Sequence, residues 1–308
     1  MSNTRRWLWA IQAAVAVVVV VLVYRSLQRN WAEFRSLHVD LALRPGWLAL
    51  SLATVFLTYA FYIEAWRRLL AGWGQHIGFR AAARAWCLSN LGRYVPGKVW
   101  TVTGLVVLSQ RAGVRGSAAA ASAVAFQALV LGTGAAVVAA ATPQATSAFR
   151  LTIGFVAAAA ALWALVWGPT ARWLGRIMSA TSPLTPLPLS AVGAGTVLMF
   201  LGWLTYGLSF WLFIQGLLPH PQLSIATASG VFTLSYILGT LALFAPGGIG
   251  VRELVLISLL TPYLGSGGAV ATSVGSRVLL TIGEVAAALI AVAISRNSPP
   301  ETPPPESP

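Results

Sequence analysis

Two short segments combine proline and glycine with charged side chains inside a very apolar sequence. The first break is NLGRYVPGKVW at 90–100, and the second break is APGGIGVRE at 245–253. Charged side chains at membrane depth are costly, so they normally face a cavity or pathway and find partners there. A cationic side chain beside the free N–H groups of a helix start suits a phosphate or a carboxylate. The two breaks therefore predict a binding site for an anionic group.

The second break has the composition of an interrupted helix. Pro246 lacks an N–H and interrupts the helix that leads into it, while Gly247 and Gly248 allow a tight turn. Broken helices are tolerated in a bilayer only where protein or water satisfies the freed backbone groups. A new helix after the glycines would place Arg252 one turn inside its start. The alternative is a tight loop between two spans, with Arg252 and Glu253 paired at the membrane interface.

Charged residues near the first break and in the last apolar run have two interpretations each. Arg93 and Lys98 could hold a lipid phosphate, or they could snorkel to cytoplasmic headgroups as topology signals. Arg277 and Glu284 are seven residues apart, so they share a face of the last helix, two turns apart. Glu284 lies near the middle of its span, which favours a functional role. The alternative is a structural Arg–Glu or Glu–backbone network.

Other side chains fit structural roles better than chemical ones. Glu64 is expected to pair locally with Arg67 and Arg68. Cys87 is the only cysteine, and no Cys/His cluster has metal-ligand spacing, so neither a disulfide nor a metal or other cofactor is predicted. Five aromatic residues are expected to be membrane-interface anchors rather than platforms for sugar stacking: Tyr59, Tyr62, Trp66, Trp86 and Trp100.

The composition around these residues is that of an all-α polytopic membrane protein. Of 308 residues, 57% are hydrophobic and 9% are charged, and several apolar runs exceed the roughly 18 residues that indicate a membrane span. The net charge of +13 comes from 20 Lys and Arg against 7 Asp and Glu. Because these cations lie mostly in short loops, they indicate topology and contact with anionic headgroups, not binding of nucleic acid.

The sequence predicts one integral membrane domain over 1–296, in the cell inner membrane and with both termini cytoplasmic. An amphipathic interfacial helix is expected over 25–45, and the proline-rich tail 297–308 is expected to be disordered. About six spanning helices are predicted, at 7–24, 46–66, 117–141, 149–168, 190–218 and 269–295.

Internal similarity links the two breaks. Pro96 and Pro246 are 150 residues apart (246 − 96 = 150), and each is flanked by an apolar helix, a short amphipathic helix and a span rich in small residues. At the same offset Gln127 corresponds to Arg277, and Gly134 to Glu284. The pattern predicts two related repeats, at about 75–141 and 223–295, of the kind found in transporters. Chance resemblance between Ala/Val-rich helices is the alternative.

The distribution of arginines favours two re-entrant hairpins over two crossing segments. If each break enters and returns on one side, the repeats are inverted and Arg172 and Arg176 lie in the cytoplasm, as the positive-inside bias requires. If each break crossed, those two arginines would move outside. The exceptions, Arg25, Arg29, Arg35 and Arg44, would lie outside on the amphipathic helix.

Both breaks, at their spacing and followed by a last span that bears Arg277 and Glu284, resemble the membrane region of the lysylphosphatidylglycerol synthase family and its stand-alone relatives. The resemblance covers about residues 10–295. It implies lipid flipping between leaflets, and partnership with glycosyltransferases that use polyprenyl-phosphate carriers. The resemblance does not imply the lysine-transfer activity that the soluble domain performs in the two-domain synthases. The candidate substrate-binding residues are Asn90, Arg93, Tyr94, Pro96, Gly97, Lys98, Pro246, Gly247, Gly248, Arg252, Glu253, Arg277 and Glu284.

The expected function is therefore translocation of an anionic phospholipid or a polyprenyl-phosphate-linked lipid. Lys98, Arg93, Arg252 and Arg277 would hold the headgroup in a polar cavity between the hairpins, and protonation of Glu284 could couple transport to a proton gradient. Two alternatives stay open, a membrane-embedded lipid-modifying transferase and an accessory subunit of a glycosyltransferase. Against the transferase, the sequence shows neither a carboxylate pair that could bind a divalent metal ion nor a Ser/His or Cys/His set. The partners expected are the membrane, an anionic lipid, a glycosyltransferase and a second copy in a homodimer.

Overall fold

The computed structural model describes residues 40–94, 99–141, 185–242 and 245–296, together with parts of 154–169. The described residues are helical, with turns between the helices and without a β-strand. The predicted first span, most of the amphipathic helix and the tail lie outside this part of the chain. Pro96, Gly97 and Lys98 of the first break lie outside it too.

Most neighbouring helices are joined by short connections, but residues 142–188 separate the helix that ends at Ala141 from the one that begins at Leu189. The labelled α-helices are, in chain order, α1 Pro45–Gly72, α2 Phe79–Asn90, α3 Val99–Arg111, α4 Gly116–Ala141, α5 Leu189–Leu217, α6 Ile225–Leu241 and α7 Val251–Arg296. A 3-10 turn, Leu91–Tyr94, follows α2, and another, Pro246–Gly248, precedes α7. Helical residues also occur between 154 and 169.

Four helices of the described region are long and apolar enough to cross a membrane: α1, α4, α5 and α7. The first three correspond to the predicted spans 46–66, 117–141 and 190–218. The predicted span 149–168 is only partly described. The chain is thus an all-helical membrane protein with several spans.

Helix α7 is a hairpin, not a single rod. Gly265 interrupts it with φ 68° and ψ 167°, outside helical geometry. In a straight helix Glu253 and Arg277 would be about 36 Å apart, at 1.5 Å per residue, yet their side chains form an ion pair. Residues 251–264 and 266–296 therefore run antiparallel, in agreement with the predicted boundary between the second broken segment and the last span.

The same order of elements occurs around each break. A short helix, a 3-10 turn, a second short helix and a long helix are formed by α2, Leu91–Tyr94, α3 and α4, and again by α6, Pro246–Gly248 and the two halves of α7. Helix α2 packs on α3, α6 packs on α7, and the two 3-10 turns contact each other. The breaks thus meet in the interior. Their re-entrant course and the inverted repeat stay predictions.

The core corrects the expectation of interfacial aromatic anchors. Tyr59, Tyr62, Trp66 and Trp86 are buried inside the bundle, whereas Trp100 is 52% exposed. The cause is the small-residue surface of the neighbouring helices: Trp66 Nε1 donates to Ser122 Oγ of α4 at 2.8 Å, which satisfies the indole away from water.

Tyr62 is likewise buried against a small residue, in this case on α5. A Cβ added at Gly202 would lie 2.2 Å from Tyr62 Cε1, so the ring lies directly on the glycine.

Glu64 accepts hydrogen bonds from Arg67 and Arg68, with Arg68 Nε 2.7 Å from Glu64 Oε1. The local pairing of Glu64 is confirmed.

Candidate functional site: the cavity between the two breaks

A cavity of about 320 Å³ lies where the two breaks meet the bundle. Helices α1 to α6, the turns of both breaks and the start of α7 contribute to its lining. Five predicted site residues line it: Asn90, Arg93, Gly247, Gly248 and Arg252. Its other polar or aromatic lining residues are Tyr59, Tyr62, Trp86, Ser89, Thr101, Phe126, Gln127, Tyr206, Tyr236 and Thr240.

Four polar atoms of lining residues are buried and have no hydrogen-bond partner in the described part of the chain. They are Tyr59 Oη, Tyr62 Oη, Asn90 Nδ2 and Arg252 Nη2. Leaving such a group unpaired costs about 1–3 kcal/mol, so this set calls for a ligand or water. All four can donate a hydrogen bond, and the amide and guanidinium nitrogens can only donate. The cavity therefore offers hydrogen-bond donors to the acceptor atoms of a ligand.

Arg252 contacts aromatic rings in place of a carboxylate. Its Cζ lies 4.9 Å from the centre of the Phe232 ring and 5.6 Å from that of Tyr236. The described residues give it no ion-pair partner, and Glu253 points elsewhere because consecutive helical residues are rotated by about 100°. The proposed interfacial pair of Arg252 and Glu253 is therefore wrong. Aromatic contacts hold the guanidinium and leave its hydrogen-bonding capacity for the cavity.

The start of α7 is closed by a carboxylate of the chain itself. The N–H of Gly250 donates to Glu253 Oε2 at 2.6 Å, as in the reciprocal half of a capping box. Arg277 Nη1 donates to the other oxygen of Glu253. The expectation that this helix start presents free N–H groups to a ligand is thus not met at Gly250.

Arg277 lies beneath the second break and not among the residues that line the cavity. A Cβ added at Gly247 would be 3.3 Å from Arg277 Nη2, so the guanidinium lies close under the turn. This placement differs from the expected contact with a headgroup. The physical reason is the ion pair with Glu253, which keeps the guanidinium turned toward the start of α7.

Glu284 connects the last helix to the first break. Its Oε1 lies 2.9 Å from Arg93 Nη1, and its Oε2 accepts a hydrogen bond from Tyr94 Oη at 2.7 Å. Tyr94 Oη also lies 3.1 Å from Thr281 Oγ1. Arg93 Nη2 donates in turn to Asn90 Oδ1 at 2.8 Å. The structure thus contains the Arg–Glu network that the sequence left as an alternative, and the network also orients two lining residues, Asn90 and Arg93.

Glycine is required in the second break by both conformation and space. Gly247 and Gly248 have φ values of 59° and 70°, in the left-handed region. A Cβ at Gly248 would lie 2.9 Å from Gly239 Cα on α6. The turn therefore packs backbone to backbone against α6, which brings Arg252 to the cavity. Pro246 supplies the start of this turn.

Sequence reasoning missed the tyrosines as lining residues. Tyr59 and Tyr62 were assigned to the interface, and Tyr206 and Tyr236 were not singled out. The available signal was a set of hydroxyl-bearing rings well inside otherwise apolar helices, where each hydroxyl needs a partner. Gln127, the counterpart of Arg277 at the 150-residue offset, also lines the cavity.

In the part of the chain that the structure describes, no cluster of metal ligands accompanies the cavity. Within the described residues, His, Cys, Asp and Glu do not form a group of three or more. Pro96, Gly97 and Lys98 fall in the gap between Tyr94 and Val99, so their binding roles stay predictions.

Comparison with known proteins agrees with the two motifs. No curated protein matches the chain significantly. The family described as "Lysylphosphatidylglycerol synthase TM region" matches residues 9–288, which include both breaks and Glu284. The match covers more than half of the chain and confirms the resemblance drawn from the sequence. The chain belongs to the lysylphosphatidylglycerol synthase transmembrane-region family.

Proposed function

We propose that this protein is a lipid translocase that moves an anionic lipid, a phospholipid or a polyprenyl-phosphate-linked lipid, between the leaflets of the cell inner membrane. Membership of the family indicates a role related to membrane lipids. The observation that carries the proposal is the cavity between the breaks, lined by Arg93 and Arg252 and by four buried groups without hydrogen-bond partners. Such a cavity matches a headgroup rich in acceptor oxygens.

The headgroup enters the cavity while its apolar tails stay in the bilayer. Arg252 and the unpaired donors bind the phosphate oxygens, and the tyrosine rings exclude bulk water. Because water is largely excluded, each charge-assisted hydrogen bond is stronger than it would be in solution. The headgroup thereby exchanges its hydration shell for protein donors during the crossing.

The Arg93–Glu284 ion pair provides a means to alternate access. Opening one side of the cavity requires the first break to move relative to α7, and this movement stretches the pair. A phosphate that contacts Arg93 competes with Glu284 for the same guanidinium.

A transferase mechanism has weaker support from the same geometry. Among the described residues, Glu284 contacts the lining residue Arg93 and Glu253 follows the lining residue Arg252 in sequence, and each carboxylate is bonded to an arginine. A carboxylate held in this way is poorly placed to act as a nucleophile or a general base toward a headgroup. The transferase and the accessory subunit are kept as outcomes of the test.

The test is reconstitution of the purified protein into liposomes that contain fluorescent phosphatidylglycerol. Leaflet exchange is followed by chemical quenching from outside, and the lipids are then analysed by mass spectrometry. Protein-dependent exchange supports translocation, a new lipid species supports the transferase, and neither result supports the accessory subunit.

A matched pair of variants connects the exchange to the cavity. Arg252→Gln removes the cavity cation and is expected to lower the exchange rate at least about tenfold, a loss of roughly 1.4 kcal/mol of binding. Arg68→Gln removes a cation of the same kind, 58% exposed and paired with Glu64, and should leave exchange unchanged. Equal rates for the two variants would refute the assignment of the cavity.

A further inference from the structure

We propose that the chains of a bound lipid leave the cavity sideways, through a portal between α3 and α6 that is formed by Val102, Gln127 and Thr240. The inference rests on the proposed function and names the route that the substrate takes. It also makes Gln127 a further binding residue, at the junction of headgroup and chains. The portal concerns how the lipid is held, so a measurement of binding tests it separately from transport.

The exposure of the lining residues locates the opening of the cavity. Among the described lining residues only Val102 and Gln127 are exposed, and the others are buried or half-buried. Val102 is 44% exposed although it lines the cavity, so it lies at the mouth and not in the depth. Thr101 of α3 and Thr240 of α6 are half-buried lining residues. The cavity therefore opens at these four side chains.

The packing of the helices leaves room for such an opening. Helices α3 and α6 each pack on α4, but they do not pack closely on each other. All three helices contribute lining residues to the cavity, and Gln127 belongs to α4. The portal is therefore bounded by α3 and α6 and has α4 as its floor.

The portal opens at the depth of the hydrocarbon. Helix α4 is long and apolar enough to cross a membrane, and Gln127 is the twelfth of its 26 residues (127 − 116 + 1 = 12). Val124, about one turn before Gln127, is 41% exposed, as expected of a side chain that contacts lipid. An exposed amide in the middle of a span is costly in hydrocarbon. Gln127 therefore marks the place where the polar part of a ligand meets the bilayer.

The walls of the cavity match the two parts of a lipid. The unpaired donors of Asn90 and Arg252 lie on α2 and α7. Helices α3 and α4 contribute mainly apolar side chains, among them Leu105, Phe126 and Val130. Headgroup oxygens bind the donors, and the first carbons of the chains contact the apolar wall, which leads to the portal. A small soluble anion makes no use of this second wall.

Two tryptophan substitutions on α3 test the portal. Val102→Trp fills the mouth, whereas Val107→Trp adds the same ring at a residue that is 40% exposed and is not a described lining residue. Val102→Trp should lower the affinity for phosphatidylglycerol at least about tenfold, and Val107→Trp should leave it unchanged. Native mass spectrometry of the full chain measures both affinities, and equal values would overturn the inference. Glycerophosphoglycerol, the deacylated headgroup, has no chains, so its weaker binding should be the same in both variants.

The amide of Gln127 is tested by an apolar side chain of similar size. Gln127→Leu removes the hydrogen bond to the junction of headgroup and chains, so it should weaken binding of phosphatidylglycerol about threefold to tenfold. Gln110→Leu removes an exposed amide of α3 that is not a described lining residue, and it should leave the affinity unchanged. Equal affinities of these two variants would overturn the assignment of Gln127.

A photoreactive lipid locates the chains without a substitution in the portal. Phosphatidylglycerol with a diazirine near the start of one acyl chain is irradiated with the full chain in liposomes, and the labelled peptides are mapped by mass spectrometry. We expect labels near Val102 and Gln127 that Arg252→Gln lowers at least about tenfold. Labels at Leu289 of α7, which is 66% exposed, should stay the same. Portal labels that do not depend on Arg252 would show ordinary bilayer contact and overturn the inference.

The portal and translocation can fail separately. Labelling that depends on Arg252, together with weaker binding by Val102→Trp but without leaflet exchange, would support the portal and refute translocation. Leaflet exchange that is equally fast in Val102→Trp and Val107→Trp would support translocation and refute the portal.

Discussion

Arg93 and Glu284 form an ion pair across 191 positions of sequence (284 − 93 = 191), with Nη1 2.9 Å from Oε1. The side chains are 23% and 7% exposed, so the carboxylate is the more buried partner. The pair joins the first break to the last helix, beside the cavity that both breaks line. Its strength therefore affects both the fold and any movement of one break relative to the other.

Breaking this pair from one side should be more harmful than removing it. Arg93→Gln or Glu284→Gln leaves a buried charge without its partner, and each should cost about 3–5 kcal/mol of unfolding free energy. The double variant removes both charges and leaves neither one unpaired, so its loss should be smaller than that of either single variant. Unfolding of all three variants in detergent measures this coupling. Additive losses would show that the two side chains do not interact.

The same variants distinguish a structural role of the Arg93–Glu284 pair from a role in transport. If the pair only supports the fold, the double variant should recover leaflet exchange as it recovers stability. We expect exchange to stay at least about tenfold below the wild-type rate, because the anion site on Arg93 and the carboxylate that competes for it are both lost. Full recovery of exchange in the double variant would assign the pair a structural role alone.

The contact of Gly202 with Tyr62 should be sensitive to a single methyl group. Gly202→Ala places a Cβ 2.2 Å from Tyr62 Cε1, and overpacking of this kind costs about 1–3 kcal/mol. Gly193→Ala on the same helix is the control, because a Cβ there meets nothing within 4 Å. The control should be neutral or stabilising by about 0.5–1 kcal/mol, since alanine favours helix. Thermal unfolding of both variants in one detergent gives the comparison, and equal midpoints would contradict it.

The elements of the fold followed from local patterns, whereas the partners of the charged residues did not. Apolar run lengths and the Pro-Gly pairs placed α1, α4, α5 and the breaks close to their observed positions. Arg277 and Glu284 share a helix, which suggested a common task, but two turns separate them by about 10.5 Å along the axis. That distance lets Arg277 reach Glu253 while Glu284 reaches Arg93. The partner of each charged residue depends on how the helices pack. The helical period of the sequence carries no information about that packing.

The tyrosines show the same limit. Their position in apolar helices fits both an interfacial belt and an interior cavity, since either environment gives a ring an apolar body and a polar end. The small residue opposite each ring decides between these two environments, as Gly202 does for Tyr62. That neighbour is on another helix and is fixed only when the helices pack.

Because the second break packs closely against α6, two alanine substitutions in it should lower stability by different amounts. Gly248→Ala combines a positive φ with a Cβ 2.9 Å from the Gly239 backbone. Gly250→Ala also has a positive φ, 88°, but meets nothing within 4 Å. Backbone strain alone costs about 1–2 kcal/mol, so Gly250→Ala should lose roughly that amount and Gly248→Ala clearly more. Thermal unfolding measures the difference, and a larger loss for Gly250→Ala would refute the proposed packing.

Arg277 should act on transport through the position of the second break. Arg277→Gln leaves Glu253 without its guanidinium, but Glu253 keeps the hydrogen bond from the Gly250 N–H. We therefore expect a folded variant with slower leaflet exchange and nearly unchanged affinity for phosphatidylglycerol, because Arg277 is not a lining residue of the cavity. Arg252→Gln is the contrasting variant, since it should weaken binding itself. Exchange rates in liposomes and binding by native mass spectrometry on the same preparations separate the two effects. A loss of lipid affinity in Arg277→Gln as large as that in Arg252→Gln would mean that Arg277 reaches the headgroup after all.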